Sequence, residues 1–235
     1  MAKKGKQVYE GKAKILYETD DPDLLIQYFK DDATAFNAQK KGTVQQKGIM
    51  NNKISTKMFE FLQANEITTH FVKHLSDREM LVKKVEIVPV EVIIRNKAAG
   101  SLCKMLGLKE GTPLKTAVFE FCYKKDELGD PLINEYHIEA LGLATKQEIE
   151  AIKQQTFRIN QLMQGFFKNL NLELIDFKLE FGRYHNKIIL ADEISPDTCR
   201  LWEFGTGKKL DKDRFRHDLG NIEEAYQEVL SRVSR

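Results

Sequence analysis

Leu174-Ile175-Asp176-Phe177-Lys178-Leu179-Glu180-Phe181-Gly182 decides how this chain is read. Its strict alternation predicts a β-strand, in which successive side chains point to opposite faces. Asp176, Lys178 and Glu180 then share one face, while Ile175, Phe177, Leu179 and Phe181 point towards a core. A second apolar strand, Lys187–Ala191, follows at once and ends in Asp192-Glu193-Ile194-Ser195-Pro196-Asp197. The intervening Gly182-Arg183-Tyr184-His185-Asn186 supplies turn residues, so the two strands are expected to pair as a hairpin. Closed there, the hairpin brings Glu180 and Asp192 opposite each other or within a residue or two of it. Two carboxylates on neighbouring strands suit a hard divalent cation such as Mg²⁺, which completes its shell with phosphate oxygens and water. A plainer reading competes, because half-buried strands also alternate when one face simply meets water. The acidic cluster after the second strand weighs against it, since carboxylates crowded at one strand end repel unless a cation is present. A phosphate-handling enzyme is the leading expectation.

A chain of 235 residues can bury a substantial core, as one large or two small domains. The 37 basic and 35 acidic residues nearly cancel, leaving a formal +2. That balance creates no long-range field for nucleic acid, so any basic site must be local. No apolar run of ~18 or more residues is present, and neither a membrane span nor a signal peptide is expected. Cys103, Cys122 and Cys199 are widely spaced without a Cys-x-x-Cys pair and read as reduced thiols of a cytoplasmic protein. The five histidines show no zinc spacing, and no Gly-x-Ser-x-Gly turn supports a serine hydrolase.

Hydrophobic periodicity orders the rest. Val8-Tyr9-Glu10, Gly11-Lys12-Ala13-Lys14 and Ile15-Leu16-Tyr17 read as strand, turn and strand. Residues 48–65 form a helix with Met50, Ile54, Met58, Phe61 and Leu62 on one face. Residues 80–95 read as strands broken at Pro89, which cannot donate to a ladder. Thr145-Lys146-Gln147-Glu148 fits a capping box and starts a long helix to about Leu170, with Ile149, Ile152, Ile159, Met163 and Phe166 inward. A last amphipathic helix carries Ile222, Tyr226, Val229 and Val233. The expected class is α+β, with a β-rich N-terminal lobe and a mixed α/β C-terminal lobe. The chain crosses between them around Glu86-Ile87-Val88, giving lobes of residues 1–86 and 87–235 and a cleft suited to a nucleotide.

Three further segments could carry chemistry. Gly11-Lys12-Ala13-Lys14 puts two ammonium groups side by side, a repulsion that a polyphosphate would relieve, although this is not Walker A spacing and on local grounds a surface lysine pair is the simpler reading. The strand ending in Arg95 leads through small residues to Gly100-Ser101 and an apolar helix. A guanidinium and a free hydroxyl at a helix start make a phosphate site, or else a serine cap with a structural ion pair. Asp197-Thr198-Cys199-Arg200 places an acid and a base on a loop at a strand end. Lys124, at the end of another strand, could reach a phosphate. The mixed-charge run 208–218 reads as a solvated helix face.

Taken in order, these segments resemble the SAICAR synthetases, the phosphoribosylaminoimidazole-succinocarboxamide synthases of purine biosynthesis. The likeness spans nearly the whole chain. It rests on Val90-Glu91-Val92-Ile93-Ile94-Arg95 through Gly100-Ser101 and on Leu174-Ile175-Asp176 through Glu180-Phe181-Gly182. Gly11-Lys12-Ala13-Lys14, Gly48-Ile49-Met50-Asn51-Asn52, Asp130-Pro131-Leu132 and Ser195-Pro196-Asp197 also fit. The resemblance implies a two-lobed ATP-binding fold and an ATP-dependent ligase. Its substrates would be carboxyaminoimidazole ribotide and L-aspartate, and its products the succinocarboxamide ribotide, ADP and phosphate, by way of an acyl phosphate.

By the same resemblance, Lys12 and Lys14 would hold ATP phosphates, with Lys124 helping. Lys83 and the Glu86-Ile87-Val88 hinge would contact the nucleotide, the hinge through backbone groups. Glu180 and Asp192 would bind magnesium, and Arg95, Ser101 and Arg200 would grip the ribotide phosphate. Asp176, Lys178 and Asp197 would orient ribotide or aspartate groups. A homodimer is implied as well. Many relatives carry aspartate where this chain has Asn37, which keeps a hydrogen-bonding group but no charge. Two alternatives stay open on the residues alone: a small-molecule kinase using the same cleft, and a nucleotide-binding protein without catalysis.

Overall fold

The computed structural model describes residues 2–35 and 40–235; Asn37 lies outside the described residues. In chain order the strands are β1 (Gln7–Glu10), β2 (Lys14–Glu18), β3 (Leu24–Phe29), β4 (Asp32–Ala35) and β5 (Lys40–Thr43), followed by helix α1 (Lys47–Ala64). Next come β6 (Phe71–Ser76), β7 (Glu79–Lys83), β8 (Glu86–Lys97), α2 (Ser101–Leu106), β9 (Pro113–Tyr123), β10 (Leu132–Ile133), α3 (Glu135–Ala140) and α4 (Lys146–Asn169). The chain ends with β11 (Leu172–Tyr184), β12 (Lys187–Ala191), β13 (Cys199–Glu203), α5 (Asp213–Arg216) and α6 (Ile222–Val233).

An antiparallel sheet in the order β1-β2-β3-β7-β6 precedes a second in the order β10-β9-β8-β11-β12, and β4 pairs with β5. The change of sheet falls between Lys83 and Glu86. Pro89 therefore does not break a strand, as periodicity suggested; β8 runs through it. Pairing with β11 shifts register between Glu180 and Gly182, and pairing with β9 begins at Val90. Pro89 thus occupies a bulge, where its missing N–H deprives no ladder.

The β11–β12 hairpin closes through only His185 and Asn186, at φ 43° and 61°. Two left-handed residues make the tight turn whose twist matches that of antiparallel strands, so Gly182, Arg183 and Tyr184 belong to the strand rather than to the turn. A register shift between Leu174 and Asp176 changes which face follows which parity. Leu174 joins Phe177, Leu179 and Phe181 in the main core, while Ile175 packs in a smaller cluster with Ala99 and Trp202.

α4 starts at the expected box: Thr145 Oγ1 accepts from the Glu148 N–H, and Glu148 Oε2 accepts from the Thr145 N–H at 2.8 Å. Arg183 also holds Glu148, whose carboxyl falls to about 2. The helix buries Ile149, Ile152, Ile159, Met163 and Phe167 against β11, with Phe166 only half-buried against Phe61. Each such fully buried side chain contributes roughly 1.5–3 kcal/mol. α1 packs on the first sheet and α6 packs on α1, so the C-terminal helix returns to the first half. Gly48 makes the close approach of α1 possible, because a Cβ there would lie 2.3 Å from the Phe29 carbonyl oxygen. The sheets are also tied by the His70 N–H donating to the Leu190 carbonyl at 2.8 Å.

Candidate active site

β11 is longer than its partners, and this builds the site. One of its edges is paired with β8 over residues 176–183. The other is shared by β13, opposite residues 172–177, and β12, opposite residues 180–184. Chain 192–198 leaves through the gap, where the Lys178 N–H donates to the Thr198 carbonyl at 2.9 Å. Asp176, Lys178 and Glu180 on β11 thereby face Asp192, Glu193 and Asp197 across one cavity of about 1010 Å³. Lys12, Lys14, Lys83, Arg95, Ser101, Lys124 and Arg200 line it too.

Glu180 stands opposite Ala191, so Asp192 is one residue beyond direct opposition. Lys178 Nζ lies 2.6 Å from Glu180 Oε1, 2.8 Å from Glu91 Oε1 and 4.0 Å from Asp192 Oδ2. Glu180 and Glu91 are cross-strand partners, a repulsive arrangement unless a cation sits between them. Lys124 Nζ reaches Glu180 at 3.1 Å. Lys14 donates to Asp192 and, at 2.9 Å, to Glu193. Burial opposes ionisation of Asp192, yet Lys14 and Lys178 hold its carboxyl well below the usual carboxylate range. Burial likewise opposes the Lys14 and Lys178 charges, and the surrounding carboxylates overcome it and raise both.

Asp176 has Arg95 beside it on β8 and Arg200 on β13. Arg95 donates to Asp176 at 2.9 Å, to Glu120 at 2.8 Å and to Ser101 Oγ at 2.9 Å. The Ser101 hydroxyl is therefore engaged rather than free. Arg200 lies in a strand rather than a loop and bridges Asp176 at 2.8 Å and Asp213 at 2.9 Å. Gly100, at φ 55°, lets the guanidinium pass: a Cβ there would sit 2.4 Å from Arg200 Nη2.

Asp197 is clamped by Lys47 Nζ at 2.7 Å on one oxygen and by the Tyr226 hydroxyl at 2.7 Å on the other. Lys12, half-exposed, pairs with Asp126 at 2.6 Å. Lys83 donates to the Thr69 carbonyl at 3.1 Å. The Glu86 side chain points outward to Arg183 and the Val88 side chain is in the core; their neighbours Val85 and Ile87 line the cavity. Only backbone groups of Glu86 and Val88 remain for a ligand.

Lys47, Glu91, Glu120, Glu193, Lys212 and Asp213 escaped the sequence reading. Lys47 carried one signal, a cation in the first turn of a helix, where the dipole disfavours it. Glu91 carried another, a charge inside an apolar strand. The run 208–218 is not a solvated face, since Leu210, Asp211, Asp213 and Phe215 are buried. Burial and the adjacent Asp213 charge push Asp211 up to about 7.

Among the described residues no group of three or more His, Cys, Asp or Glu side chains is arranged to hold a metal. Glu180 and Asp192 nevertheless fit Mg²⁺, which is characteristically bound by one or two carboxylates with substrate phosphates and water. Lysine ammonium groups neutralise both carboxylates here.

The SAICAR synthetase family profile matches residues 7–233. A phosphoribosylaminoimidazole-succinocarboxamide synthase of Clostridium kluyveri is 61% identical over 232 residues, 99% of each chain. One from Caldanaerobacter subterraneus subsp. tengcongensis is 60% identical over 228 residues, 97% of each. Among solved structures, the synthase of Ehrlichia chaffeensis superposes with a TM-score of 0.96 at 48% identity, covering 97% of this chain and 98% of that one. A SAICAR synthetase in complex with ADP gives 0.94 at 44% identity and 97% of each chain. With a family profile spanning residues 7–233, relatives about 60% identical over nearly their full length and a fold shared with solved members, the chain belongs to the SAICAR synthetase family.

Proposed function

We propose that this protein joins L-aspartate to the carboxylate of carboxyaminoimidazole ribotide at the expense of ATP, forming the succinocarboxamide ribotide, ADP and phosphate. The observation that carries the reading is one cavity holding two kinds of anion site. The Lys14–Asp192–Lys178–Glu180 cluster suits a polyphosphate with its cation, and the Arg95–Asp176–Arg200 row suits a phosphate monoester.

A carboxylate is a poor acyl donor because its leaving group would be oxide. Transfer of the ATP γ-phosphoryl group to the ribotide carboxylate gives an acyl phosphate and ADP. The aspartate amine then attacks the acyl carbon, phosphate departs with the C–O bonding pair, and the amine loses a proton. Little covalent work falls to the protein, which positions the reactants and neutralises charge. Lys12, Lys14 and Lys124 serve the ATP phosphates, while Lys83 and backbone groups of residues 86–88 serve the nucleoside. Arg95, Ser101 and Arg200 hold the ribotide phosphate. Asp176 keeps both guanidiniums in register, and Lys178 and Asp197 orient reacting groups. Glu180 and Asp192 would hold Mg²⁺, which when bound supplies charge neutralisation at the phosphoryl oxygens.

In this reading residues 1–86 form the ATP-binding lobe and 87–235 the lobe of the ribotide and metal sites, a division supported by the change of sheet near residue 84. We place the enzyme in the cytoplasm as a homodimer. Three free cysteines accord with that compartment, and among the described residues no helix is long and apolar enough to cross a membrane. The kinase alternative is not favoured, because the relatives at about 60% identity carry a ligase name over nearly their full length. An ADP-release assay with ribotide and aspartate omitted in turn tests the proposal. Turnover should require both, and turnover indifferent to aspartate would sink it.

A further inference from the structure

Nine cationic side chains line the cavity, and among the described residues eight of them donate a hydrogen bond. Lys212 is the exception. Its side chain is only 14% exposed, and its nearest carboxylate, Asp197 Oδ2, lies 3.8 Å away, beyond hydrogen-bond reach. A mostly buried ammonium with its donors unspent is costly unless something arrives to use them. Asp197 cannot turn wholly to it, because Lys47 and Tyr226 already clamp its two oxygens. Arg216, one helical turn further on, spends Nη1 on Asp213 at 2.6 Å and also faces the cavity.

Resting on the ligase reading, the charge requirements of the three substrates can be matched against the available cations. The nucleotide phosphates have Lys12, Lys14 and Lys124; the ribotide phosphate has Arg95 and Arg200. The remaining substrate is a dicarboxylate; Lys178 is already engaged by Glu91 and Glu180, whereas Lys212, its Asp197 ion pair apart, is the cavity cation whose side chain, among the described residues, donates no hydrogen bond. We propose that Lys212, supported by Arg216, binds a carboxylate of the incoming amino acid substrate. Asp197, beside Lys212, is placed to accept a hydrogen bond from the substrate amine. A cation and an anion 3.8 Å apart complement an α-amino acid, which carries the same two charges in reverse.

Lys212→Met and Lys212→Arg test this, with succinate as a dicarboxylate probe lacking the amine. Lys212→Met should raise the aspartate KM on the order of tenfold or more and weaken competitive inhibition by succinate in parallel, as expected for a lost charged hydrogen bond. Ribotide affinity, measured calorimetrically without aspartate, should be unchanged, and Lys212→Arg should recover most of the loss. A variant with weakened ribotide binding and an unchanged aspartate KM would assign the cation to the phosphate instead and overturn the proposal. No change in any of these would make Lys212 merely structural and overturn it as well. Should Lys212→Met fail to fold, Lys212→Gln removes the charge while keeping polar donors. Wild-type turnover that ignores aspartate would instead defeat the underlying ligase reading, whatever the variants do.

Discussion

Lys14 and Asp192 form an ion pair that crosses the cleft from the first sheet to the second. Lys14 also holds Glu193, and Lys178 approaches Asp192 from the other side. The carboxylate proposed to hold a divalent ion is thus kept charged and in place, and a metal there would have to displace an ammonium. A cation pair and an anion pair interleaved in this way neutralise each other in the free protein and can be redistributed when phosphates arrive.

Asp192→Asn should lower turnover by at least about a hundredfold, since changing even outer partners of a metal site costs 10–100-fold. Lys14 keeps Glu193, and Lys178 keeps Glu180 and Glu91, so no ammonium is stranded and the chain should still fold, with only a modest fall in the unfolding midpoint. Parallel ADP-release and thermal unfolding measurements check this, and unchanged turnover would remove Asp192 from the chemistry.

Arg95→Met leaves Glu120 buried without its guanidinium and Asp176 with Arg200 alone. Stranding a buried charge typically costs about 3–5 kcal/mol. Urea unfolding should show a loss of that order together with failure to bind ribotide. A loss well under 1 kcal/mol would mean that the row is not electrostatically coupled.

Gly100→Ala forces a side chain into an unfavourable backbone conformation at φ 55° and ψ −127°. That costs on the order of 1–3 kcal/mol, and the added methyl displaces Arg200. The ribotide KM should rise while the ATP KM stays near wild type. Equal effects on both would point to general loosening instead of a displaced phosphate ligand.

His70 sits edge-on to Phe59, and burial pushes its imidazole down to about 4 from 6.5. Between those values the unfolded chain binds the additional proton, so stability is lost as pH falls from 6.5 towards 4. The linked contribution is about 3 kcal/mol. Urea unfolding over that window should show the loss, and His70→Gln should flatten this part of the slope. A variant with an undiminished slope would assign the acid sensitivity elsewhere.

Local pattern was enough for the elements that local pattern controls. The Thr145–Glu148 box sets the start of α4, since both partners lie within one helical turn. The period-two run of residues 176–181 reports β11 because charged and apolar side chains alternate with the pleat, Asp176, Lys178 and Glu180 on the cavity face and Phe177, Leu179 and Phe181 in the core. Pro89 misled because a bulge depends on partner strands, and the sequence of β8 alone does not show where β9 and β11 fall out of step with it. The run 208–218 misled for a similar reason. Its charges are buried against Arg200 and Asp197, which lie elsewhere in the chain.

From the sequence alone came the α+β class, the long helices, the β11–β12 hairpin and, through ordered motifs, the carboxylates and guanidiniums of the site. Tertiary structure alone decided their pairings: Lys14 with Asp192, Asp176 between Arg95 and Arg200, Lys47 with Asp197, and Lys212 set 3.8 Å from Asp197. The reason is range. Periodicity and capping record interactions among near neighbours, whereas the charge state and readiness of a buried side chain depend on which distant residue is folded against it.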